Sequence, residues 1–219
     1  MTQLRRAATL PVAFFRRPAE IVAADLVGTV LVSWMGGQLT AGRIVETEAY
    51  LGHDDPASHG YLHRRNARNE ALFGPPGSWY VYLSYGMHWC ANLVCQRAGL
   101  ASAVLLRALE PLDGLEVMRR RRGGVPDREL CSGPGKLTQA LGILRDLDGM
   151  KLSGGPVVVR RAEPIARDVI AATPRIGITK AVDWPLRFHL AGSPWTSRKE
   201  AGGRSPGPPA RSPIYQSDQ

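Results

Sequence analysis

WYVYLSYGMHWCANLVC, residues 79–95, reads as two strands folded back on each other about Gly86-Met87. Along the first arm Tyr80, Tyr82 and Ser84 alternate with Val81, Leu83 and Tyr85, the period-two pattern of a strand with two different faces. A large aromatic at the tip of such a hairpin, here Tyr85, has little core of its own to enter. It either folds back on a neighbouring loop or projects outward, where it suits a wedge pushed between stacked base pairs.

The segments around this hairpin set the fold class. Upstream, IVAADLVGTVLVSW (21–34) reads as a short helix running into a strand, and Gly36-Gly37 marks the turn into the strand GRIVETEAY (42–50). Residues 52–78, rich in Gly, Pro, Asp, His and Arg, form a long loop with one helical turn near Asn69–Phe73, a length that usually signals function. Downstream come a buried strand AVLLRALE (103–110), a helix LDGLEVMRRRR closed by Gly123-Gly124, and a helix GKLTQALGI that Ser132 could cap. PVVVRR, RIGITKA and LRFHLAG read as further short strands. Strands and helices do not alternate strictly, so the pattern predicts a single α+β domain with a mostly antiparallel sheet and surrounding helices, not a doubly wound fold. The domain spans 18–197. Residues 1–17 read as a loose leader, and 198–219, rich in Gly, Pro, Ser and Arg, as a disordered basic tail.

Lys and Arg number 28 against 19 acids in 219 residues, a formal charge of +9. That excess suits a polyanion, although charge alone leaves a merely solvated basic surface equally open. The three cysteines, Cys90, Cys95 and Cys131, form no CxxC pair, which points to buried thiols in a reducing compartment. The apolar run after Arg5-Arg6 is short, contains Pro11 and stops at Arg16-Arg17, so it is not a signal. No stretch approaches the ~18 apolar residues of a membrane span. The expectation is a soluble protein of the cytoplasm, associated with the nucleoid if the source is bacterial, with no membrane partner.

The chemistry concentrates in RIVETEAYLG (43–52). Glu46, Glu48 and Tyr50 fall on one strand face, with the two acids roughly 7 Å apart. A carboxylate near a substrate carbon can deprotonate water, and a carboxylate pair flanking a sugar bond is the pattern of glycosidases. Adjacent like charges need partners, and Arg43, Arg107 and Lys136 are candidates. One acid is therefore expected to be structural and the other catalytic. His53, His59 and His63 with Asp54 and Asp55 supply metal ligands on paper, but their spacing matches no closed motif, and no metal is expected. GPPGSW and CSGPGK are not phosphate-cradling loops, and no Gly-x-Ser-x-Gly elbow occurs.

Taken together, these segments resemble the mammalian-type alkyladenine (3-methyladenine) DNA glycosylases, a family that also occurs in bacteria. The likeness runs from about residue 20 to 197. It is carried by GRIVETEAYLG, the later His59, ARNEALFGPPGSWYVYLSYGMHWCANLV, VLLRALEPLDGLEVMR, RELCSGPGKLTQALGI and PLRFHLAGSPW. The resemblance implies a curved antiparallel sheet, a β-hairpin that protrudes into the DNA minor groove, and cleavage of the N-glycosidic bond of damaged purines without metal or organic cofactor. It implies that Glu48 activates the attacking water and that Arg107 helps to hold it. Tyr50, His59 and Tyr82 then grip the flipped base, Asn92 and Leu105 crowd the exocyclic amine of normal guanine, and Tyr85 fills the vacated place in the duplex. Glu46 is left a structural role. The partner implied is double-stranded DNA carrying alkylated or deaminated purines, bound by a monomer. CQRAGLASAV (95–104), His53 and a short 142–160 segment depart from the family's pattern and leave lesion preference open. Two competing readings stand beside this one. The first is a non-catalytic module that grips damaged DNA and needs Tyr85 but not Glu48. The second is a metal-dependent hydrolase built on His53, His59 and His63.

Overall fold

The strand carrying the two acids is the organising element. It forms β2 (Thr40–Tyr50) in a computed structural model that describes residues 7–197. Around it lie β1 (Val30–Ser33), β3 (Trp79–Ser84), β4 (His88–Cys95), β5 (Ser102–Asp113), β6 (Val157–Arg160), β7 (Ile170–Thr173) and β8 (Arg187–Leu190). They make one eight-stranded sheet in the order β3-β4-β5-β2-β1-β6, with β8 joining β2 to β7. Every pairing of named strands is antiparallel. The α+β expectation therefore holds.

β2 pairs with β5 along one edge. Its other edge is divided: Thr40–Arg43 pair with β1, and Glu46–Glu48 pair with β8. Register shifts between Ile44 and Glu46 and between Glu46 and Thr47 mark bulges, which bend a strand and increase its local twist.

Period two sorts the faces. Trp79, Val81, Ala91, Leu93, Val104, Leu106 and Ala49 enter the main core. Helices α1 (Val12–Phe15), α2 (Ala19–Leu26), α3 (Leu115–Arg121) and α4 (Pro134–Leu141) complete the fold. On α2 the residues Ala19, Val22, Ala23 and Leu26 are fully buried, the i, i+3, i+4, i+7 stripe of a helix with one apolar side.

Three expectations change. Residues 7–17 are not a loose leader: Thr9 bridges Arg160, α1 forms, and Phe15 is fully buried in the core. Ser132 does not cap α4. Gly133 takes that place and Pro134 opens the helix, while the Ser132 hydroxyl accepts from Lys136 Nζ at 3.3 Å. RIGITKA is no strand, despite its β-branched alternation, because Gly177 and Ala181 have φ of +77° and +48° and the Ile176 N–H is committed to a side chain. The strand in this region is instead β7, just upstream. The tail reading for 198–219 lies outside the described residues, as do residues 1–6.

The hairpin forms as read, with its turn one residue earlier. Tyr85 and Gly86 occupy the two central positions at φ of +50° and +68°, and Met87 N–H donates to the Ser84 carbonyl at 3.1 Å. Two successive positive φ values define the turn whose twist matches the flanking strands. Gly86 adopts this freely, whereas Tyr85 is held in a conformation that aromatics seldom take.

Candidate active site

Register builds the site. Tyr80 lies opposite Asn92, Asn92 opposite Leu105, Leu105 opposite Glu48, and Glu48 opposite Arg187, one row across β3, β4, β5, β2 and β8. Opposed residues of antiparallel strands share a face. Two positions along each strand, the same face carries Tyr82, Cys90, Arg107 and Tyr50. Above it opens a cavity of about 700 Å³ lined by Tyr50, His59, Tyr82, Asn92, Leu105 and Arg107 among others, and bordered by Tyr85 at the hairpin tip. The fold therefore brings Tyr50, His59, Tyr82, Asn92, Leu105, Arg107 and Tyr85 to one cavity.

Glu48 is the exception. It is fully buried and does not reach the wall. Its contacts, however, are wall residues: Oε2 accepts from the Tyr50 hydroxyl at 3.0 Å and meets Arg107 Nη1 at 3.3 Å, and Oε1 accepts from Ile176 N–H at 2.7 Å. The carboxylate sits one side chain behind the cavity.

The two acids have opposite electrostatics. Burial by itself would raise the pKa of Glu46. Arg187 and then Arg107 outweigh it, with the Ser197 N–H adding to them, and hold the carboxyl below its usual range. The contacts are Arg187 Nε at 2.7 Å, Arg107 Nε at 3.2 Å, Ser197 N–H at 2.6 Å and the Ser197 hydroxyl at 2.8 Å. For Glu48 burial prevails over Arg107, Ile176 N–H and Tyr50, and the pKa is raised. A carboxylate with increased proton affinity is what a general base requires. Glu46 is thus an acid held ionised by two arginines, and Glu48 one whose surroundings favour the proton. Of the three candidate partners Arg107 alone serves the acids; Arg43 pairs with Glu110 and Lys136 with Glu129.

The aromatic cage is tight. Tyr80 and Tyr82 stack at 5.3 Å, and His59 stands edge-on to Tyr82 at 4.6 Å. His59 Nδ1 lies 2.8 Å from the Tyr80 hydroxyl. Burial lowers the His59 pKa and keeps the ring neutral, with one nitrogen left for a ligand. The loop bearing His59 is docked where glycine permits: a Cβ on Gly52, at φ +81°, would sit 2.0 Å from the Leu100 carbonyl oxygen. The same loop is clamped by Arg175 and Asp55, both fully buried in their side chains. Arg175 Nη2 donates to Asp55 Oδ1 at 2.8 Å, Nη1 donates to the Ala49 carbonyl at 3.0 Å, and the guanidinium lies 4.7 Å from the Tyr50 ring centroid.

The histidine-rich loop does not converge on an ion site. His53 and His63 stack on each other at 4.5 Å, while His59 turns to Tyr80. Among the described residues no group of three His, Cys, Asp or Glu could hold a metal ion, and no helix is long and apolar enough to cross a membrane.

The profile of the family described as methylpurine-DNA glycosylase (MPG) matches residues 13–194. The chain belongs to this family. Relatives from Carboxydothermus hydrogenoformans (48% identical over 191 residues, 87% of this chain and 99% of that protein) and Methanoculleus marisnigri (52% over 194 residues, 87% and 100%) are each named "Putative 3-methyladenine DNA glycosylase". One from Rhizobium meliloti, 53% identical over 192 residues and covering 87% of this chain and 97% of that protein, bears the same name. The glycosylase resemblance read from the sequence is thereby established at family level.

Sequence reasoning missed several residues at the site. Ile176, Gly177, Ile178, Thr179 and Lys180 line the cavity. Ile176 contributes a backbone N–H, for which no side-chain signal exists. Arg187 was legible in principle, since an arginine at an inward position of the apolar run LRFHL demands an acid. Tyr80 carried the same period-two signal as Tyr82.

Proposed function

We propose that this chain is a monofunctional DNA glycosylase that takes alkylated or deaminated purines, of the 3-methyladenine, 7-methylguanine and hypoxanthine type, out of duplex DNA and hydrolyses their bond to deoxyribose. The observation that carries the reading is an aromatic-lined cavity joined through its wall residues Arg107 and Tyr50 to a buried carboxylate of raised proton affinity behind them, beneath a hairpin whose tip residue, Tyr85, is 86% exposed.

In this reading the target nucleotide rotates out of the stack and its base enters between Tyr50, His59 and Tyr82. Aromatic faces favour a cationic alkylpurine by about 0.5–2 kcal/mol. The positive charge already weakens the glycosidic bond, so the enzyme adds one thing, a nucleophile. Glu48 takes a proton from water held against Arg107 as the oxygen attacks the anomeric carbon, and the base leaves with the bonding pair. Neutral His59 donates to the base edge. Asn92 and Leu105, in line on the cavity floor, exclude a guanine amine. Tyr85 occupies the vacated stack, and the basic surface holds the phosphates. The protein acts as a monomer in the cytoplasm, without metal or cofactor.

The test incubates the protein with duplexes each carrying one lesion and identifies the freed base by mass. Free alkylated purine, an abasic site broken only by alkali, and indifference to chelator are expected. Tight binding of damaged duplex without release from any lesion refutes the enzyme and leaves the binding module. Because Lys180 lines the cavity, borohydride trapping of a covalent complex would replace water attack by an amine route.

A further inference from the structure

Two acids and two arginines are enclosed together beside the cavity. The side chains of Glu46 and Glu48 are 0% exposed, Arg107 9% and Arg187 7%. They form a chain: Arg187 contacts Glu46, Glu46 contacts Arg107, and Arg107 contacts Glu48. Arg107 is divided, with Nε to Glu46 at 3.2 Å and Nη1 to Glu48 at 3.3 Å. Arg187 is directly opposite Glu48 in register, yet its Nε binds Glu46 at 2.7 Å and its Nη1 binds Thr173 Oγ1 at 2.9 Å. Its Nη2 is buried without a hydrogen-bond partner. A buried donor left unmade costs free energy, which Arg187 carries while it serves Glu46.

We infer that Arg187 is a positioning residue for the attacking water: by neutralising Glu46 it leaves Arg107 free to serve Glu48. The inference rests on the glycosylase reading and deepens it. Glu46 Oε1 already accepts from Arg187, Arg107 and the Ser197 hydroxyl, and Oε2 from the Ser197 N–H, so Oε1 is saturated while Arg187 is in place. Without Arg187 the group holds two carboxylates and one guanidinium. Arg107 is then drawn toward the better-held acid, and Glu48 is left closer to an uncompensated negative charge. Every group facing Glu48 enters this balance: Arg107 from β5, Cys90 from β4, Tyr50 and Glu46 from β2, Arg187 from β8 and the Ile176 N–H from the loop after β7. Among them Arg187 and Glu46 alone are charged groups that line no part of the cavity.

The readout is the acidic limb of the single-turnover rate of 7-methylguanine release, where the leaving base is already charged. Arg187→Gln is expected to move that limb to higher pH by about one unit, so that at a fixed pH on the limb the rate falls about tenfold. Glu46→Gln leaves Glu48 with two arginines and is expected to move the limb the other way. The double variant, with one acid and one arginine, returns it near the wild-type position. A residue of purely structural importance would lower the amplitude in all three without ordering the limbs. If Arg187→Gln does not fold, as judged by its urea transition, the shift in Glu46→Gln and its reversal in the double variant still decide. Limbs that coincide, or shift in one direction for both single variants, overturn the inference while the wild type remains active. A wild type that frees no base defeats the glycosylase reading itself.

Discussion

Replacing Arg175 by methionine isolates the contribution of the buried clamp. The substitution keeps an unbranched apolar stem but strands the Asp55 carboxylate, whose side chain has no exposure to water. Removing one member of a buried ion pair costs about 3–5 kcal/mol. Here Asp55 retains two donors, Leu51 N–H at 3.1 Å and Ala57 N–H at 3.0 Å, which places the loss toward the lower end, about 3 kcal/mol. For a chain of this size each kcal/mol lowers the melting temperature by about 2–4 °C, so a fall of roughly 6–12 °C is expected by scanning calorimetry. Adding Asp55→Asn removes the stranded charge and should recover part of that loss, an interaction read from the double-mutant cycle. Base release should fall as well at temperatures where the variant is folded, because Arg175 adjoins Ile176, whose N–H holds Glu48, and covers one face of Tyr50. A loss under about 1 kcal/mol, or strict additivity of the two substitutions, would refute the clamp.

Glu48→Gln is expected to lower single-turnover release by about 10²–10⁴-fold, the usual worth of a positioned base, with duplex affinity kept; release near the wild-type rate removes Glu48 from its role. The same variant has a stability signature. The raised pKa of Glu48 means that its contribution to folding is full below the ordinary carboxyl value of 4.5 and is lost as pH rises through the raised one. Glu48→Gln should therefore gain stability relative to wild type between pH 4 and pH 8 in urea titrations, and a parallel pair of curves contradicts this. Tyr85→Ser should leave the melting temperature unchanged, since the ring is exposed, and weaken binding to an abasic duplex by roughly tenfold or more. Equal affinities would dispose of the wedge. Gly52→Ala places a methyl against a backbone oxygen at a left-handed φ and should destabilise by about 2 kcal/mol or more, checked by thermal melts.

Much of this was legible because the sheet obeys period two. The alternation of WYVYLS placed Tyr80 and Tyr82 on one face of their strand, and that of IVETEAY placed Glu46, Glu48 and Tyr50 on one face of theirs, without any knowledge of neighbours. That the two faces coincide needed the pairing and its register, bulges included. What escaped was of another kind. Arg187 and Arg175 act across 141 and 120 residues of chain, distances over which local pattern says nothing. The irregular segment after β7 looked like a strand because Ile176 and Ile178 alternate, but its backbone bonds to a side chain. The burial of Glu48 behind Tyr50 was also hidden, since alternation fixes a face and not a depth.

The division of β2 between β5 on one edge and β1 and β8 on the other has a kinetic corollary. Amides hydrogen-bonded on both sides of a central strand exchange with deuterium only in the deepest openings of a protein, while turns and loop tips exchange in shallow ones. The acids therefore ride on the slowest-opening part of the molecule, and the Tyr85 tip on one of the quickest. An exchange map should trace a steep boundary between them, with the hairpin tip yielding many times before the buried carboxylates lose their alignment once.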